Sequence, residues 1–229
     1  MAPSHARKKD FWGWGSKAGG FSVAQGYIKL LEQPHVLPDL VPWKGIWNYP
    51  SIPKIDYFYS LLYHRKILTE DRLQKRGYHG PSRCILCKDN VECTRHLMLE
   101  CKFASQIWTE LLGNWNSNFA LPSSIPELFA NWLNRYLGPF PKNKVIKAAW
   151  SSLPKIICWQ IWLERNRRIF RNKEKDVKFV GVKIKCQLKD FLGEKKDDSN
   201  LCQQDIDWGA SLDLQFQKVV SIISLPKEW

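Results

Sequence analysis

No stretch of the 229-residue sequence approaches eighteen uninterrupted apolar residues. The nearest, AAWSSLPKIICWQIWLE, is broken by Ser, Pro, Lys and Gln, so no membrane-spanning helix is expected. The first fifteen residues, MAPSHARKKDFWGWG, are polar and basic and have no apolar run, which argues against a signal peptide. A nuclear or cytoplasmic chain, neither secreted nor membrane-bound, is expected. There is no internal repeat. Acidic residues are few beside basic ones: 22 Asp and Glu against 35 Lys and Arg, a net charge of +13. That imbalance favours an acidic partner, and nucleic acid is the commonest one.

A core is well supplied. Hydrophobic residues make up 44% of the chain and twelve are tryptophan, which marks burial rather than disorder. The positive charge is uneven. Residues 142–196 hold sixteen of the Lys and Arg and five of the Asp and Glu, so most of the excess lies in the C-terminal third. Seven cysteines, an odd count without a secretory signal, suggest a reducing compartment, where clustered cysteines bind metal more often than they form disulfides.

Periodicity predicts a mainly α protein. Tyr27, Leu30 and Leu31 share one helical face, and PHVLPDLVPWKG then reads as a loop. Ile55, Phe58, Tyr59 and Leu62 form an apolar stripe behind prolines suited to a helix start. Thr69 is a good N-cap, followed by Glu70 and Asp71, with Lys75 and Arg76 in the last turn and Gly77 as terminator. Phe103, Ile107, Leu111 and Trp115 recur at steps of four. LPSSIPELFANWLNRYLG offers a Ser cap, an early Pro and a closing Gly. The segment from Asn143 to Lys175 is long and helical, with Pro154 expected to kink or break it. Val177, Val180, Ile184, Leu188 and Phe191 continue at helical spacing. DDSN reads as a linker, and the tail beyond it is weakly patterned.

The segment RCILCKDNVECTRHLMLEC, residues 83–101, holds four cysteines and a histidine. A structural zinc ion takes four thiolate or imidazole ligands in a tetrahedron. Cys84 and Cys87, two residues apart, can present both sulfurs to one point from a tight turn. Arg83 and Lys88 flank them and would offset the net −1 of three thiolates and one Zn2+. The second pair must come from Cys93, His96 and Cys101. Spacing favours His96 with Cys101, provided a helix breaks between them; Cys93 with His96 is the alternative. Four protein ligands close the shell, so the metal would be structural rather than catalytic.

These motifs, in this order, resemble the zinc-binding domain found after the reverse transcriptase in plant LINE-type (non-LTR) retrotransposons. GGFSVAQGYIKLL is similar to the family's Gly-x-Phe-Ser-Val start. IWNYPSIPKIDYFYSLLYHRKILTEDRLQKRG is similar to its Trp…Pro-Lys…Leu-Thr-x-Asp-x-Leu-x-x-Arg-Gly segment. The cysteine cluster is similar to its Cys-x-x-Cys…His-Leu…Cys core, and WQIWLERNRRIF to the helix that often follows. The resemblance implies Cys84, Cys87, His96 and Cys101 as zinc ligands and sets Cys93 aside. The helical periodicity and the cysteine cluster together predict a helical domain with a small inserted zinc-knuckle-like module. The expected organisation is an N-terminal extension (1–20), the reverse-transcriptase-type zinc-binding domain (21–135), a basic helical region (136–196) and a weakly patterned tail (197–229). In full elements this domain follows a polymerase and can precede an RNase H. The sequence contains no Tyr/Phe-x-Asp-Asp motif and no carboxylate set suited to a two-metal nuclease. A free-standing, non-enzymatic remnant is therefore expected.

For nucleic-acid contact the sequence offers Arg165, Arg168 and Arg171, at three-residue steps on a helix whose other face carries Trp159, Leu163 and Phe170. Lys75, Arg76, Arg83 and Lys88 near the knuckle rank next. RNA or DNA is the expected partner, and a reverse transcriptase or other retroelement protein is a further one. The competing reading is a structural or protein-interaction remnant with no retained activity. His64 and His79 read as surface residues, and Cys158, Cys186 and Cys202 as buried thiols.

Overall fold

The apolar stripes read from the sequence are the faces on which the helices pack. In the computed structural model the described residues are 45–48, 51–112, 121–134, 143–193 and 201–215. The chain divides into two compact units, Met1–Asp39 and Leu40–Trp229, and every described residue belongs to the second. The expected helix carrying Tyr27, all of the expected loop 34–45 except Gly45, which opens α1, and Trp115, Gly138 and DDSN lie outside the described residues.

The described residues are mostly helical, and their only β pairing is an isolated antiparallel bridge between Arg83 and Val91. The α-helices are α1 (Gly45–Asn48), α2 (Pro53–Tyr63), α3 (Glu70–Gln74), α4 (Lys102–Leu112), α5 (Ile125–Asn134), α6 (Lys144–Arg171), α7 (Val177–Leu192) and α8 (Gln203–Ser211). A π-helical turn, His96–Glu100, lies just before α4. Ile55, Phe58, Tyr59 and Leu62 of α2 are buried, as are Phe103, Ile107 and Leu111 of α4 and Val180, Ile184 and Leu188 of α7.

Helix α6 is the spine. Asn143 caps it, its side chain accepting from the amides of Val145 and Ile146. The helix runs 28 residues without the break expected at Pro154. Proline has no N–H, so the Trp150 carbonyl four residues earlier loses its helical donor. The Trp132 indole supplies one instead, donating to that carbonyl at 2.7 Å. The two rings stack with centroids 4.5 Å apart.

Three other expectations are corrected. The weakly patterned tail contains α8, whose Trp208 is buried edge-on against Trp150, centroids 5.4 Å apart. Thr69 stands at the N-cap of α3, but its hydroxyl donates to Asp71 at 2.6 Å instead of capping an amide. Cys158 is buried as expected, whereas Cys186 and Cys202 are exposed.

Two buried ions hold α6 to the N-terminal helices. Lys155 Nζ donates to Asp56 Oδ1 at 2.8 Å and to the Ile46 carbonyl at 2.9 Å. Asp56 in turn accepts from the Ser51 amide and hydroxyl, each at 2.8 Å. Lys155 Nζ and both Asp56 carboxylate oxygens thus each have a partner, which is the condition for tolerating buried charge.

Candidate metal centre and its basic surroundings

The knuckle is a short hairpin. The Cys84 amide donates to Asn90 O at 2.8 Å and the Glu92 amide to Ser82 O at 2.8 Å, on either side of the Arg83–Val91 bridge. Inside it, Lys88 N–H returns to Cys84 O at 2.8 Å, closing the turn that brings the two sulfurs round. Lys88 takes a left-handed conformation, φ 57°, to do so.

The second pair brackets the π-turn, with His96 opening it and Cys101 directly after it. The expected break between His96 and Cys101 takes a particular form: the helix widens by one residue and then stops. The Cys101 amide bonds to His96 O, five residues back, at 2.7 Å, and Cys101 itself is extended. A wide turn brings residues five apart onto one side, where an ordinary α-turn would separate them, and such turns recur at functional sites. The Trp108 indole holds the turn by donating to Met98 O at 2.9 Å.

The result is a four-atom cluster. The ligand atoms of Cys84, Cys87, His96 and Cys101 all lie within 4.8 Å of one another. Cys84 and Cys101 sulfurs are 3.9 Å apart, and Cys87 Sγ is 3.3 Å from His96 Nε2. A tetrahedral ion with bonds of about 2.0–2.3 Å requires edges of roughly 3.5–3.8 Å. The donor set therefore fits a metal ion. The Cys84 and Cys101 sulfurs are within hydrogen-bond reach of each other, a contact that lowers the Cys101 thiol and raises that of Cys84. The Phe103 and Ala104 amides at the start of α4 also favour the Cys101 thiolate.

Cys93 lies outside the cluster. Its sulfur accepts from the His96 amide at 3.4 Å, the geometry of a helix N-cap. A hydroxyl-bearing residue would serve that role at least as well.

Residues 21–108 match the family described as zinc-binding in reverse transcriptase. That segment of the chain is similar to the family's domain. No curated protein and no solved structure matches the chain. All four cluster residues fall inside the matched segment, while α5 to α8 lie beyond it.

The matched segment is joined to α6 by two arginines, and this corrects the expectation of an exposed arginine face. Arg165 is buried between two acids: its Nη2 is 2.9 Å from Glu92 Oε1 and 3.2 Å from Glu70 Oε1. Glu92 directly precedes Cys93 and also accepts from the Glu70 amide at 3.1 Å. Arg168, also buried, donates through Nη1 to Leu86 O at 3.1 Å, inside the Cys-x-x-Cys turn itself. Its Nε reaches Glu164 at 2.8 Å and its Nη2 the Lys175 carbonyl at 3.0 Å. Its guanidinium also lies over Phe103, 4.7 Å from the ring centre. Both side chains are committed to holding the knuckle against α6. Arg171 is exposed, as are Lys75, Arg76 and Arg83; Lys88 is exposed and pairs with Glu174 at 2.8 Å.

The sequence reading missed Glu70, Glu92 and Glu164 as partners. Only the Glu164–Arg168 pair, four apart on one helix, left a local signal. Phe170, expected near the apolar face, is 76% exposed, whereas Trp159 packs edge-on against Phe58 at 5.1 Å.

Proposed function

We propose that this chain is a non-enzymatic, zinc-stapled helical module that binds RNA or DNA through its basic surface. The observation that carries the reading is the closed set Cys84, Cys87, His96 and Cys101. Three thiolates and one imidazole suit zinc, and four protein ligands leave no coordination position for water or substrate. The ion's role is then to hold the knuckle, and Arg165 and Arg168 pass that order on to α6. The order of motifs from GGFSV to RNRRIF supports derivation from a plant LINE-type retrotransposon, acting in the nucleus or cytoplasm. No helix among the described residues is long and apolar enough to cross a membrane.

The test is metal analysis of the purified chain combined with titration against labelled RNA and DNA. One zinc per chain, in a shell of three sulfurs and one nitrogen, is expected, with binding that weakens as salt rises. A coordinated water would reopen hydrolytic chemistry. Absence of RNA and DNA binding at low salt in zinc-loaded protein would remove the nucleic-acid role. Exposed Trp47 and Tyr57 favour a second reading, a remnant that packs against another retroelement protein. Self-association without nucleic-acid binding would support it.

A further inference from the structure

Helices α6 and α7 run antiparallel, since Gln160 bonds to Gln187 at 2.7 Å while Glu164 meets the Lys175 amide at 2.8 Å near the connection. The elbow they form is strongly basic. Residues 164–189 hold ten Lys and Arg against three Asp and Glu. Those three acids are already engaged. Glu164 holds Arg167 and Arg168, Glu174 pairs with Lys88, and Asp176 caps α7 by accepting from the Phe179 amide.

Three cations converge on one ring here. Lys175 Nζ lies 4.7 Å from the centre of Phe179, Lys183 Nζ 5.8 Å and the Arg167 guanidinium 5.9 Å. The negative ring face attracts each of them and offsets part of their mutual repulsion. Lys175 and Lys183 make no ion pair among the described residues, and both are exposed. Arg171 and Lys173 are also exposed at the end of α6. Beside them Phe170 projects, 76% exposed, with no burial to account for it.

We propose that this elbow binds a single-stranded polynucleotide, with Lys175, Lys183 and Arg171 on the phosphates and Phe170 stacked on a base. The inference rests on the nucleic-acid role proposed above and moves its surface away from Arg165 and Arg168. Two lysines without an ion pair, gathered on one ring, match a chain of phosphates. An aromatic side chain exposed in the last turn of α6 matches an unstacked base, which a duplex does not offer.

The test uses the full zinc-loaded chain and fluorescence anisotropy with a mixed-sequence 20-nucleotide RNA, the same sequence as single-stranded DNA, and its duplex. Single strands are expected to bind more tightly than duplex, and the two single-stranded arms separate RNA from DNA. Lys175→Gln/Lys183→Gln should reduce the magnitude of the slope of log K against log salt by about 1.4, since each phosphate contact contributes roughly 0.7 on a single strand. Phe170→Ala should weaken single-strand binding roughly 5- to 150-fold, the range for one stacked base, and leave the salt slope unchanged. All three side chains are at the surface, and matching thermal midpoints would confirm intact folding. If wild type binds and these variants bind equally well, the elbow is overturned and the broader reading survives. If wild type binds no polynucleotide, both fall. Preference for duplex, or binding only to phosphatidylserine vesicles, also overturns the elbow.

Discussion

Trp132 and Trp150 donate their indole N–H groups to each other's backbone carbonyls, at 2.7 and 3.0 Å. Each bond serves a carbonyl that its own helix leaves short. Trp150 O lost its donor to Pro154, and Trp132 O lies in the last turn of α5, where carbonyls have no intrahelical partner. The stacked pair thus lets α6 carry an interior proline without leaving a buried acceptor empty.

That relationship can be tested with a double-mutant cycle. Trp132→Phe keeps most of the ring but removes the indole donor from Trp150 O, and should cost about 1–3 kcal/mol beyond lost packing. Pro154→Ala restores an N–H to the same carbonyl. The cost of Trp132→Phe should be smaller in the Pro154→Ala background, as read by urea denaturation.

The metal ligands should separate cleanly from Cys93. Cys84→Ser, Cys87→Ser, His96→Ala and Cys101→Ser should each lose bound zinc and unfold the knuckle, because metal binding and folding are coupled. Cys93→Ser should keep one zinc per chain and be neutral or stabilising by up to about 1 kcal/mol, since a hydroxyl caps a helix well. Zinc loss in Cys93→Ser with retention in His96→Ala would reverse the assignment.

Arg168 and Arg171 should behave differently despite lying three apart on one helix. Arg168→Ala leaves Glu164 buried without that partner and the Leu86 carbonyl empty, a change that should cost about 3–5 kcal/mol. Arg168→Lys should recover only part, because a point charge cannot reach Glu164, Leu86 and Lys175 at once. Arg171→Ala should leave the melting temperature unchanged and weaken RNA binding.

Stability should respond to pH through Glu70. Its burial and the neighbouring Glu92 raise its carboxyl above the usual range, while Arg165 pulls it back in part. A raised folded-state value means that the native state holds the proton more tightly than the unfolded chain does. From the ordinary carboxylate value, about 4.3, up to the raised one, this group's contribution to stability falls as pH rises. In Glu70→Gln, urea midpoints measured from pH 4 to 7 should show a less negative dependence on pH. An unchanged profile would assign the effect elsewhere.

The Lys155–Asp56 pair should show the asymmetry of buried ions. Lys155→Met leaves Asp56 buried with only Ser51, and Asp56→Leu leaves Lys155 without its anion. Each single change should cost about 3–5 kcal/mol, whereas the double change should recover most of that loss in a thermal or urea melt.

What the sequence determined by itself was whatever short spacing controls. Cys84 and Cys87 need only a tight turn, and the stripes of α2, α4 and α7 need only the helical repeat. Those features were legible because the interacting residues are a few positions apart. Even there, spacing alone left Cys93 open, because only the backbone decides whether a sulfur caps His96 or joins it. The tertiary structure decided what the cations do. Arg165, Arg168 and Arg171 look alike along the chain, yet two are buried and one is exposed. Their fates depend on Glu92, Glu70 and Leu86, which lie 73, 95 and 82 residues away from the arginines they meet. An arginine beside a buried carboxylate forms a clamp, and the same residue in water remains free for phosphate. Apart from the Glu164–Arg168 spacing, no local pattern encodes which of these occurs, because the balance of desolvation and pairing is set only when α6 closes over the knuckle.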